Sequence, residues 1–77
     1  MKTTQFQLRT EFIELHNLLK VEGICASGGE AKMLVASGSV LVDGVVELRK
    51  ACKIRAGQSV QTAAVRINVL PAAPTPG

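Results

Sequence analysis

The sequence has few of the residues that enzymes and metal proteins depend on. It contains one histidine, two cysteines, no tyrosine and no tryptophan among 77 residues. Such an inventory does not supply a converging set of acids, bases and nucleophiles, and His16 has no orienting acid assigned to it. Cys25 and Cys52 also lack the close spacing of zinc ligands. We therefore expect a protein that is not an enzyme and that uses neither a metal nor a cofactor.

Long apolar runs and a secretory signal are missing as well. No run approaches the roughly 18 residues that suggest a membrane span. Residues 1–9 alternate polar and apolar side chains without a continuous apolar segment. We expect a cytoplasmic monomer that makes no membrane contact and keeps its thiols free. The length suits one domain, residues 1–70, followed by a flexible Pro/Ala-rich tail over residues 71–77.

Aromatic side chains are scarce, which bears on the kind of partner. Phe6 and Phe12 are the only aromatic residues, and both are predicted to be core residues near the first helix. Proteins that bind single-stranded nucleic acid usually offer exposed aromatic rings to the bases. If this chain binds RNA, a structured RNA recognised by its backbone and shape therefore fits better than a single strand with unstacked bases.

Apolar spacing predicts a hairpin of two helices. Apolar residues at three- and four-residue spacing (Phe12, Leu15, Leu18 and Leu19) predict the first helix over residues 11–22, capped by Thr10. Ser27 and Glu30 form a capping box that starts a second helix. Gly38 stands where that helix is expected to end, because glycine readily adopts the left-handed conformation of a helix C-terminus.

The pattern then changes from helical spacing to alternation. Asp43 and Gly44 form a favoured two-residue turn between strands at residues 40–42 and 45–46. Further extended segments follow at residues 52–55 and near Val60, with a last strand around residues 65–69. The sequence predicts an α+β fold in which the helix hairpin packs on a small, mostly antiparallel, twisted sheet of about three to five strands.

Positive charge is concentrated late in the chain. Residues 49–77 contain five bases and no acid, and four of these bases lie within the first seven positions. If this segment forms a strand, alternation places Lys53 and Arg55 on one face and Ile54 on the other. Such a face is either an ordinary solvated surface or a binding site for a polyanion, which it would hold through release of counterions.

A second anion site is predicted at the start of the second helix. Ser27 caps this helix, and the amide of Gly28 has no side chain to obstruct an approaching phosphate. Lys32 lies one turn further and points away from the apolar stripe, so it could add a phosphate contact. The alternative is that the glycines only ease the turn, with Glu30 repelling an anion.

Together these features resemble the RNA-binding domain named after ribosomal protein S4, also called the αL motif. The resemblance covers about residues 11–62. It rests on the helix hairpin and on these positions: Ser27, Ala31, Lys32, Gly38, Val40, Val42, Asp43, Gly44 and Gly57. A finer set is similar to the small stand-alone YbcJ group of that family: Leu18, Leu19, Lys20, Glu22, Gly23, Gly28, Glu47, Arg49, Lys50, Lys53 and Ile54.

The resemblance implies a non-catalytic domain that binds structured RNA, of the ribosomal or transfer class, through a basic surface. Many relatives have Arg and Asp near the start of the first helix, where this chain has Glu14 and His16, and a further Arg where it has Gly28 and Gly29. RNA binding is therefore assigned to the remaining groups: Lys32, Arg49, Lys50, Lys53, Arg55, Ser27, Gly28 and Lys20.

Two other functions would use the same charges. The domain could dock on an acidic protein, since a cationic face is complementary to any polyanion. It could also act in trans as an accessory subunit of an RNA-modifying enzyme or a translation factor, with the ribosome as a possible place of association.

Overall fold

A computed structural model describes residues 1–72. Within this range the chain forms seven strands and two helices. In chain order they are β1 (Lys2–Gln7), β2 (Phe12–Glu14), α1 (Leu15–Val21), α2 (Gly28–Ala36), β3 (Leu41–Val42), β4 (Val45–Val46), β5 (Lys53–Arg55), β6 (Ser59–Gln61) and β7 (Val65–Leu70).

The strands form two sheets. The main sheet has five strands in the order β1-β7-β6-β3-β4, and a separate pair joins β2 to β5. Every pairing is antiparallel except that of β1 with β7, which is parallel. The predicted α+β fold is confirmed, with two helices packed on a mixed five-stranded sheet. The basic segment, residues 49–55, contributes β5, which pairs with β2 outside the main sheet.

Strand β1 was not predicted by the sequence analysis, although its alternation was visible. Thr4 and Phe6 are half-buried, whereas the intervening positions are exposed. The strand pairs with β7 from Lys2 opposite Val65 to Gln7 opposite Leu70. Because its partner β7 is more than fifty residues away in the chain, no local turn sequence predicts this pairing.

The first helix begins later than the sequence predicts. Residues 12–14 form β2, and α1 starts at Leu15. The predicted cap, Thr10, instead donates its hydroxyl to the carbonyl of Phe12 at 2.8 Å. Pairing of β2 with β5 determines the conformation of residues 12–14 and overrides their helical spacing. The prediction that the helix begins at residue 11 is therefore wrong.

The start of α2 follows the predicted capping box with one difference. The Ser27 hydroxyl accepts from the amide of Glu30 at 3.2 Å, and the Glu30 carboxylate accepts from the amide of Ala26 at 2.7 Å. The carboxylate thus reaches one residue further back than the cap amide. At the other end, Gly38 has φ +79°, as the predicted helix stop requires.

The β-hairpin turn is confirmed at Asp43 and Gly44, whose φ values are both positive at 51° and 83°. Asp43 also accepts from the amide of Ser59 at 2.9 Å and from the side chain of Gln58 at 3.3 Å. Its carboxylate therefore joins the hairpin to the start of β6.

One hydrophobic core is shared by the helices and the sheets. Its buried members are Leu8, Leu15, Leu18, Leu19, Cys25, Ala31, Val35, Val40, Val42, Ile54, Val60, Ile67 and Val69. Within residues 1–72, neither helix is long and apolar enough to cross a bilayer. The tail predicted over residues 71–77 lies, beyond residue 72, outside the described residues.

Ile54 packs the central position of β5 into this core. It has no exposed surface, although both of its neighbours in the strand are exposed. We expect Ile54→Ala to lower the free energy of unfolding by about 2–4 kcal/mol, since it leaves a cavity in a closely packed interior. Urea unfolding followed by circular dichroism measures this change.

Val45→Ala is the matched control, because Val45 is 69% exposed on β4. We expect it to change the free energy of unfolding by less than about 0.5 kcal/mol. Equal losses in the two variants would contradict the assignment of Ile54 to the core.

Candidate nucleic-acid interface

An open groove of about 830 Å³ lies between α2 and the segment of residues 48–55. Five of the eight predicted site residues line it: Lys32, Arg49, Lys50, Lys53 and Arg55. All five are exposed. No carboxylate is among the described residues that line the groove. The structure therefore brings charges from two separate parts of the chain to one surface.

Backbone hydrogen bonds hold the middle of the basic segment against the start of α1. The amide of Leu15 donates to the carbonyl of Cys52, and the amide of His16 donates to the carbonyl of Lys50, both at 2.9 Å. The N-cap residue Glu14 makes no side-chain capping bond. The basic segment therefore takes the place of a capping side chain for two amides that would otherwise lack a partner.

Strand β5 presents two of the cations on its outer face. Lys53 and Arg55 are exposed and Ile54 is buried, as the predicted alternation requires. The Lys53 Nζ atom lies 5.0 Å from the centre of the Phe12 ring, and the Arg55 Cζ atom lies 5.5 Å from it. Both distances are within the range of cation–π attraction.

The prediction that Phe12 belongs to the core is wrong. Phe12 stands opposite Arg55 in the β2–β5 register, on the outer face of this pair of strands, and is only half-buried. Ile13 points the other way and packs against the core. Period-two alternation over residues 12–14 would have shown this arrangement, but only if those residues had been recognised as a strand.

Arg49 is already paired with a carboxylate. Its backbone amide and its Nε donate to one oxygen of Glu47 at 3.0 and 3.1 Å, and its Nη2 donates to the other oxygen at 3.1 Å. These hydrogen bonds from Arg49 are the main reason that the pKa of Glu47 falls from 4.5 to about 2. Glu47 is thus ionised at neutral pH and offsets the charge of Arg49, a partner that sequence analysis missed.

The other wall of the groove is one row of α2. Lys32 and Ala36 line the groove, and Gly28 is the preceding position at the same four-residue spacing. Its amide lies roughly 6 Å from Lys32 along the helix axis. Ser27 and Gly28 therefore stand beyond the end of the groove nearest the helix N-terminus. Lys20, exposed in the last turn of α1, is not among the residues that line it.

The two thiols and the one imidazole of the described residues have different surroundings. Cys52 is half-buried at the groove, and burial is the main cause that raises the pKa of its thiol. Burial likewise raises the pKa of Cys25. His16 Nε2 lies 3.8 Å from a Glu14 oxygen on the protein surface. Within residues 1–72, no three His, Cys, Asp or Glu side chains are grouped as metal ligands would be.

Comparison with known proteins places this geometry in a family. A family model described as the S4 domain matches residues 6–70. The chain is 52% identical over 58 residues to the "Putative RNA-binding protein YbcJ" of Escherichia coli strain K12, an alignment that covers 75% of this chain and 83% of that protein. The same identity and coverage relate it to the "Uncharacterized protein YbcJ" of Shigella flexneri.

A solved structure agrees with this assignment. The solution structure of YbcJ from E. coli, described as revealing an αL motif involved in RNA-binding, matches with a TM-score of 0.62 and 46% sequence identity. The match covers 91% of this chain and 87% of the YbcJ chain. Sequence and fold therefore agree, and this chain belongs to the S4 domain family.

Proposed function

We propose that this protein binds structured RNA, ribosomal or transfer RNA in class, and that it does so without catalysing a reaction. The observation that supports this most directly is the groove, in which five cations from two segments meet and no lining residue among those described is acidic. The E. coli relative is named as an RNA-binding protein. We further propose that the protein acts as a cytoplasmic monomer that associates with ribosomal particles.

The contacts that this function needs are to phosphates. Lys53 and Arg55 project from a strand whose central side chain is fixed in the core, so their stems are well positioned before RNA arrives. Lys32 faces them from α2. Next to Lys32, the capped N-terminus of α2 adds the amide of Gly28 to the proposed surface. Contacts of this type position an RNA by its backbone and carry little sequence information.

Binding should depend strongly on salt. For about four neutralised phosphates, we expect the affinity for a duplex-containing RNA to fall roughly 100-fold between about 50 and 200 mM salt. Lys53→Glu and Arg55→Glu should each weaken binding about tenfold across different RNA sequences and make the salt dependence shallower. Fluorescence anisotropy with labelled ribosomal and transfer RNA fragments measures both effects.

Lys2→Glu provides the control for net charge, because Lys2 is exposed on β1 and is not among the residues that line the groove. It changes the total charge by the same amount and should alter affinity less than about twofold. If Lys2→Glu weakened binding as much as Lys53→Glu, the groove would not be the RNA site.

The Glu47–Arg49 pair makes a separate prediction about which cations matter. Because Glu47 and Arg49 offset each other, we expect the Glu47→Gln/Arg49→Ala double variant to bind RNA within about twofold of the wild type, whereas Lys53→Ala weakens binding about fivefold. In a Glu47→Gln background, the Arg49 guanidinium no longer has a carboxylate partner, and Arg49→Ala should weaken RNA binding about fivefold. This double-mutant cycle is measured by the same anisotropy titration at one fixed salt concentration.

Glu11→Gln is the matched control for loss of one negative charge, since Glu11 is exposed and does not line the groove. It should leave the effect of Arg49→Ala unchanged. A Glu47→Gln/Arg49→Ala double variant that bound RNA as weakly as Lys53→Ala would contradict the offset.

An acidic protein as partner is distinguished by competition. An RNA-binding groove should prefer ribosomal or transfer RNA to heparin at equal charge concentration. The reason is that the fold holds the cations of its two walls at fixed positions, so the shape of the polyanion matters as well as its charge. A surface that recognises negative charge alone should show no preference. Failure of RNA to displace heparin would count against the proposed function.

A further inference from the structure

The groove is lined by apolar residues, here called its floor, as well as by cations, here called its rim. Its apolar residues are Ala36 from α2 and Leu48, Ala51 and Cys52 from the facing segment. Leu48 is 62% exposed. Cys52 is half-buried and packs against the core, so this floor is continuous with the folded interior. Exposed apolar surface thus lies in the same groove as the groups proposed to hold phosphates.

Phosphate binding alone does not account for such a floor. A phosphate is strongly hydrated and gains nothing from contact with leucine, since only apolar surface benefits from leaving water together with apolar surface. The faces of a nucleobase are apolar, but in a duplex they are hidden in the stack. An unpaired nucleotide offers a free base face and has a phosphate on each side of it.

The groove fits such a nucleotide in charge and in size. Its cations come from both walls, Lys32 from α2 and Lys50 and Lys53 from the facing segment. Its volume of about 830 Å³ lies in the range of clefts that hold small organic ligands. An apolar protein segment would gain from the floor but would have to desolvate the surrounding charges without neutralising them.

Resting on the proposed RNA binding, we propose that this groove accepts one unpaired nucleotide next to a duplex. The base lies on the floor formed by Ala36, Leu48 and Ala51, and the flanking phosphates contact the cations of the rim. The preferred RNA is therefore a helix interrupted by a bulged or looped-out residue. Exposed aromatic stacking is not required, because the aliphatic floor supplies the contact.

The test uses three RNA hairpins with the same stem. One is fully paired, one has a single unpaired adenosine, and one has an abasic nucleotide at that position. The last two have the same number of phosphates and differ only in the base. We expect the hairpin with the adenosine to bind the full-length protein about fivefold more tightly than the abasic one, which should bind like the paired hairpin.

Leu48→Ser should remove this preference and leave affinity for the paired hairpin unchanged within about twofold. Val45→Ser is the matched control, because Val45 is 69% exposed on β4 and does not line the groove. It should preserve the preference. Circular dichroism confirms that both variants are folded.

The outcomes separate this inference from the function on which it rests. Equal binding of the adenosine and abasic hairpins would overturn the nucleotide site while leaving RNA binding intact. The nucleotide site would also be overturned if Leu48→Ser weakened the binding of all three hairpins by the same factor. Absence of salt-dependent binding to any hairpin would overturn the proposed function together with the site.

Discussion

Two backbone hydrogen bonds, from the amides of Leu15 and His16 to the carbonyls of Cys52 and Lys50, determine much of the candidate site. They give the first helix a beginning that no side chain provides, and they fix the basic segment against it. Once the segment is held there, β5 pairs with β2 and its residues alternate between core and solvent. The groove cations of residues 50–55 are thus positioned by the same contacts that complete the fold. Since helix amides left without partners are costly, removing this segment would affect the helix as well as the charged surface.

The features that sequence analysis predicted correctly are those set by neighbours in the chain. The Ser27 cap, the hairpin turn at Asp43 and the helix stop at Gly38 each require only a few adjacent residues, and all three are confirmed. The other half of the capping box differs, since Glu30 accepts from the amide of Ala26. The errors have a common cause in pairing between distant segments. Strand β1 and the extended residues before α1 depend on partners more than thirty positions away, in β7 and β5. The helical spacing of Phe12 with Leu15 therefore predicted helix where pairing with a distant strand imposes an extended backbone. For the same reason, Phe12 was wrongly assigned to the core.

Charge counting located the basic segment but overestimated how many of its charges are free. The bidentate contact of Glu47 with Arg49 joins residues only two positions apart, yet the sequence gives no sign that both side chains turn toward each other. The low pKa of Glu47 means that its carboxylate is ionised at any pH near neutrality. The cationic surface at neutral pH therefore depends chiefly on Lys32, Lys50, Lys53 and Arg55. A cluster of like charges thus has to be assessed together with the nearby carboxylates that the fold turns toward it.

Concentrating cations in a small domain opposes its folding, because like charges repel and a chain of this size has little stability to spare. The structure moderates this repulsion without neutralising the whole surface. The negative face of the Phe12 ring lies against both Lys53 and Arg55, and Glu47 holds Arg49. An aromatic ring attracts cations but presents no anionic group that would repel a phosphate, whereas a carboxylate placed between Lys53 and Arg55 would do so. A phenylalanine on the outer face therefore suits a strand that has to remain cationic. Among residues 1–72, the only carboxylate bound to a cation of the groove accordingly engages Arg49 and leaves Lys53 and Arg55 free of an anionic partner.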